Sequence, residues 1–248
     1  MTTDAHINPF EPPEQRRVKI AGDFNEGVLG RATKAIYWYI VLTLLLAIAA
    51  LPTLVLTMLL VPEPSNIPFF ALACLPLGPA LSAGLFTVRA RYTDEDLAPS
   101  RTFWRGYRRN WKDALRLWVP ALVVVGIIGY SVAFADLAGI GAAYRIVLIV
   151  IAVVVALFAM HALVISTFFS FRVRDVSRLT AYYLVVLPKT TFGIAAMLII
   201  SATAAYFSPL LLGLLGGILT WFWYQIDKVM LTDIWTRFTK PSEEQAAG

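Results

Sequence analysis

The chain has 248 residues, of which 58% are hydrophobic and only 15% charged, with a formal net charge of +5. A soluble domain carries about a quarter charged residues, so too few polar side chains are present to cover a water-soluble surface. Lipid tails impose no such demand on an apolar exterior, and the basic balance fits attraction to anionic lipid better than nucleic-acid binding, because the arginines lie beside apolar segments.

Residues 1–34 read as a polar cytoplasmic segment, disordered in its first part, where Pro9, Pro12 and Pro13 oppose a helix. The first apolar run begins near Ile36 and is long enough to span, which argues against a cleaved signal peptide. It covers residues 36–61, holds no charge, and carries Pro52 as an expected kink. A turn at 61–66 leads to a second span, 67–88. Pro76, Gly78 and Pro79 fall in its middle and predict a bend or local unwinding.

A charged stretch, 89–116, precedes a third span at 117–134, with Pro120 in its first turn. A short loop with Asp136, Gly139 and Gly141 leads to the fourth span, 146–171. Then comes a segment with Arg172, Arg174, Arg178 and Lys189. Residues 192–224 are apolar throughout. One helix of that length would measure about 50 Å at 1.5 Å per residue, against a hydrocarbon layer of about 30 Å. Two short spans, 192–207 and 210–224, turning at Ser208-Pro209, are the expectation; one long kinked helix is the alternative.

Charge asymmetry favours six spans. Cytoplasmic flanks are rich in Lys and Arg. With six spans, every outer turn together holds only Arg145, and both termini lie in the cytoplasm. The expected fold is therefore all-α: a polytopic bundle of six spans in three hairpins. It forms one domain over 35–240, with a disordered tail at 241–248. The single cysteine, Cys74, excludes an intrachain disulfide, and no metal-ligand spacing, phosphate loop or Ser/His/Asp arrangement is recognisable. No cofactor and no enzymatic activity are expected.

The clearest local pattern lies at 101–118. At 100° per residue, Trp104, Tyr107, Trp111, Leu115 and Trp118 fall within about 80° of one another. Arg101, Arg105, Arg108, Arg109, Lys112 and Arg116 group on an adjacent face. This predicts an amphipathic helix lying in the cytoplasmic headgroup region, aromatics inward and guanidinium groups on phosphates. It serves as an anchor, or as a docking surface for a cytoplasmic partner. Trp104, Arg105, Tyr107, Arg108, Arg109, Trp111 and Lys112 are its candidate contact residues. Nucleic acid is not needed to explain it.

Three pieces in order, Leu51-Pro52-Thr53, Leu77-Gly78-Pro79-Ala80-Leu81 and Phe103-Trp104-Arg105-Gly106-Tyr107-Arg108-Arg109-Asn110-Trp111, resemble the YesL family of bacterial membrane proteins, also called DUF624. The resemblance covers about residues 36–115. It implies a bacterial cell membrane. It also implies an accessory role beside carbohydrate uptake, with transporter subunits as partners. It supplies no catalytic residues.

His161 is the only ionisable side chain expected deep within a span, and such residues are functional candidates by default. A packed neutral histidine is the ordinary alternative. No Asp or Glu is expected mid-span, which disfavours a proton- or sodium-coupled carrier. The Pro76, Gly78 and Pro79 break exposes backbone groups of the kind transporters use for binding, although packing kinks are commoner. Gly213, Gly216 and Gly217 predict close helix approach. Trp221, Trp223 and Tyr224 read as an interfacial aromatic belt. The leading expectation is a non-enzymatic accessory protein; the alternative is a small transporter or channel using the broken helix and His161.

Overall fold

The computed structural model describes residues 28–93, 98–139 and 141–238. The two terminal segments expected to be disordered fall largely or wholly outside these residues. Every regular element among the described residues is helical. Helix α1, Val28–Ala49, meets α2, Leu51–Leu59, at Ala50. Pro52 lies in the first turn of α2, and the bonds Ala50 N to Leu46 O and Leu54 N to Ala50 O carry the chain through the kink. A 3-10 turn, Pro64–Asn66, leads into α3, Ile67–Ala73, and then α4, Leu77–Thr93. The rest comprises α5, Pro99–Ala133; α6, Ala142–Phe168; α7, Val173–Val186; α8, Pro188–Phe207; and α9, Pro209–Phe238.

Five helices are long and apolar enough to cross a membrane, or six when α3 and α4, bent by 41°, count as one span. The chain is an all-α polytopic bundle of three hairpins: α1/α2 with α3/α4, α5 with α6, and α8 with α9. The 192–224 stretch is two helices, parted at Ser208, whose backbone is extended before Pro209. The alternative of one kinked helix does not hold. The last helix runs 14 residues beyond the expected end at 224, to Phe238.

The amphipathic segment is not a separate interfacial helix. It is the first half of α5, which continues through Pro120 into the third span. At 35 residues α5 measures about 52 Å, so it projects well beyond a hydrocarbon layer of about 30 Å. Proline near the middle costs one backbone bond but does not end the helix, because the flanking turns remain packed.

Packing is uneven along the bundle. Phe103, Leu85, Leu163, Ile165, Met230, Leu231 and Ile234 are fully buried and belong to one core cluster fed by α4, α5, α6 and α9. In α6, residues 157–165 are all buried or nearly so, whereas Ile146, Val147, Ile149, Val150, Val153 and Val154 face outward. An apolar exterior of this kind is solvated by lipid tails. Ser82 and Thr167 share a hydrogen bond of 2.8 Å, and Asn110 Nδ2 donates to Thr167 O at 3.4 Å, tying α4, α5 and α6 together. Helix α7 is held to α9 by Tyr183, whose hydroxyl donates to Asp233 Oδ2 at 2.7 Å. Burial, and then that bond, push the Tyr183 phenol above its usual range, so it stays a donor at any physiological pH.

Candidate functional site

Three features carry the candidate residues. The first is a buried histidine–aspartate contact. His161 on α6 is 1% exposed and Asp227 on α9 is 0% exposed, with Nδ1 and Oδ1 3.0 Å apart. Neither His161 nitrogen and neither Asp227 carboxyl oxygen makes a hydrogen bond of good geometry among the described residues. Charges taken this far from water persist only when paired.

Asp227 overturns the expectation that no acidic side chain lies within a span. The sequence reading closed the last span at Tyr224 because Asp227 and Lys228 follow. The missed signal is periodic: Trp223, Asp227, Met230, Leu231 and Ile234 stand at i, i+4, i+7, i+8 and i+11, one helical face, and all five are buried. Trp223 and Tyr224 are likewise core residues at 1% exposure, not an interfacial belt. Trp221 is half-buried and donates to the Tyr92 hydroxyl at 2.8 Å. Counted from the starts of α6 and α9, the pair lies about 28 and 27 Å along the two helices at 1.5 Å per residue. That places it towards the end nearer the basic half of α5.

The second feature is the break between α3 and α4. Its freed carbonyls have partners. Ala73 O accepts from Thr53 Oγ1 at 2.6 Å, and Cys74 O accepts from Trp118 Nε1 at 2.9 Å. Gly78 makes the second bond possible, since a Cβ there would stand 2.6–2.9 Å from Trp118 side-chain atoms. The Pro76, Gly78 and Pro79 break is thus used for packing, and it offers few free backbone groups to a solute. Beside it lies a cavity of about 960 Å³, walled by α1, α2, the α3–α4 break, Trp118, Met160, α8 and α9.

The third feature is the basic half of α5. Phe103, Gly106, Asn110 and Ala114 form its buried face, with Gly106 admitting the Phe86 ring. Arg105, Arg108, Arg109 and Lys112 are exposed on the other side. Trp104 and Trp111 remain 39% and 42% exposed, and Tyr107 is half-buried. The aromatics expected to enter the membrane interface thus stay partly open to the surroundings, and the small and apolar residues between them do the packing. Arg101, Trp104, Arg105, Arg108 and Arg109 line one shallow surface groove. Among the described residues, none of these four arginines pairs with a carboxylate, whereas Arg116 pairs with Asp113 and Arg145 with Asp136. The break and the basic stripe lie apart from the His161–Asp227 pair, although Trp223 and Met160 stand between the pair and the cavity.

Glycines also act within the chain. A Cβ at Gly217 would meet Thr43 and the Tyr39 carbonyl of α1. The close approach expected of Gly213, Gly216 and Gly217 is therefore made, at Gly217, between α1 and α9 of one chain. Among the described residues, no group of three or more His, Cys, Asp or Glu side chains could hold a metal ion.

Residues 33–132 match the family model described as "Protein of unknown function, DUF624". The match supports the DUF624 family over α1 to α5 and includes the break and the basic stripe, but neither His161 nor Asp227. No curated protein and no solved structure matches the chain.

Proposed function

We propose that the chain is a non-enzymatic accessory protein of a bacterial cell membrane, with both termini cytoplasmic, that docks through the basic stripe of α5. The observation that carries this reading is the stripe itself. One face of the helix is fully used in packing, while four arginines on the other face surround one groove with no carboxylate partner among the described residues. Such an array suits phosphate groups of anionic lipid and an acidic surface on a membrane partner. The link to carbohydrate uptake, and so to transporter subunits as partners, is what the YesL resemblance implies; the matched family model is described only as of unknown function. Each basic residue at an anionic surface contributes about 1 kcal/mol. Replacing Arg105, Arg108, Arg109 and Lys112 by Gln should therefore remove a few kcal/mol of attraction, while the spans still insert. Affinity purification from native membranes in mild detergent should recover transporter subunits with the wild type and lose them with the quadruple variant. Reporter fusions after Ser208 and Gly248 must first show unchanged topology. Equal recovery of subunits by both proteins would reduce the stripe to an anchor.

A second reading, a small transporter or channel, is favoured by one observation: Asp227 stands beside His161, and buried ionisable pairs are the means by which membrane carriers handle protons. Vesicles containing the chain would then dissipate an imposed pH gradient faster than vesicles containing the His161→Gln/Asp227→Asn double variant. Equal rates would remove this reading.

A further inference from the structure

We propose that the cavity beside the α3–α4 break is a site for a hydrocarbon chain, the acyl chain of a phospholipid, entering sideways between α2 and α8. Its volume of about 960 Å³ lies at the upper end of ligand pockets, roughly 300–1,000 Å³. No charged side chain lines it. Its polar groups are largely spent on the protein itself. Thr53 donates to Ala73 O, Thr57 to Thr53 O, Thr220 to Gly216 O, and Trp118 to Cys74 O. A sugar or an ion entering here would lose its water and find almost nothing to replace it. A hydrocarbon chain loses nothing, and it restores the dispersion contacts that apolar walls forfeit beside empty space.

The way in follows from the packing. Helix α2 rests on α1, α3 and α9, and α8 rests on α6, α7 and α9, while α2 and α8 touch each other at most lightly, although both line the cavity. The rim includes Pro62 and Pro209, at the turns that end α2 and α8. Chain order puts those turns at the end of the bundle opposite the basic half of α5. The chain thus enters from the leaflet away from that stripe. Its tip reaches Met160 and Trp223, the residues adjoining the His161–Asp227 pair. The absence of basic residues from the walls means that headgroup charge plays no part in binding.

The test uses the full-length chain in phosphatidylcholine vesicles doped with phosphatidylcholine that carries a diazirine on one acyl chain. After illumination, crosslinked positions are mapped by mass spectrometry. Adducts are expected at inward positions such as Cys74, Met160 and Thr220, in addition to the outward Leu56, Ile199 and Phe222. Adducts confined to outward positions would overturn the proposal. Ala50→Phe and Ala205→Phe fill the cavity from different walls. Either should abolish the inward adducts and keep the outward ones, and inward adducts that persist in a folded variant would also overturn it. Cys74, the only cysteine in the chain, gives a readout that needs no variant. It should resist a charged, membrane-impermeant methanethiosulfonate, and rapid modification would mean that the cavity is a water-filled passage instead.

Discussion

Replacing His161 by glutamine is expected to destabilise the chain by about 1–3 kcal/mol, the scale for leaving a buried polar group without its partner. A histidine that had no polar partner would tolerate glutamine, which keeps a donor and an acceptor. The structure gives it one: glutamine leaves the Asp227 carboxyl, at 0% exposure, without the imidazole that stands 3.0 Å away. Asp227→Asn should fall in the same range, since an amide in place of the carboxyl also leaves one buried polar contact unsatisfied. The His161→Gln/Asp227→Asn double variant should recover much of the loss, because two neutral amides can bond across the same gap. Thermal unfolding of the three variants in one detergent, compared as a double-mutant cycle, measures the coupling. A His161→Gln protein as stable as wild type would show that the pair contributes nothing.

Substitution of Gly217 by valine should separate α1 from α9. A helix interior gains about 1 kcal/mol when glycine becomes alanine, and overpacking costs about 1–3 kcal/mol or more. At Gly217 the cost wins. The new side chain meets Thr43 and, at 3.0 and 3.3 Å, the Tyr39 carbonyl and the Thr43 nitrogen, and backbone cannot turn aside as a flexible side chain can. Gly213 provides the control, because a Cβ there finds only Leu54 at 3.6 Å, an ordinary contact. Gly213→Ala should be neutral or stabilising in the same melting experiment. Equal melting of Gly217→Val and wild type would show that α1 and α9 are not held at this distance.

How much of this was legible in the sequence depended on whether a residue's role was set along one helix or between helices. The proline-glycine break could be read in place, since Pro76, Gly78 and Pro79 interrupt a helix wherever it packs. What became of its freed carbonyls could not, because their partners, Thr53 and Trp118, come from 20 and 44 residues away. The basic stripe was visible in its 3.6-residue spacing, but its burial was not. Phe103, Gly106, Asn110 and Ala114 became the inner face because Phe86 and Thr167 stand opposite them.

By itself the sequence determined that the chain is helical, apolar enough to be solvated by lipid, and divided into three hairpins. Uninterrupted apolar runs, prolines and glycines at the turns, and clustered arginines are local properties, and they act through the length of hydrocarbon a helix must cross. The tertiary structure decided what a charge means inside the bundle. Read along the chain, Asp227 is the first charge after an apolar run and marks its end. Set 3.0 Å from His161, it is an interior residue of a longer helix, because a polar partner on α6 replaces part of the water that it would otherwise keep.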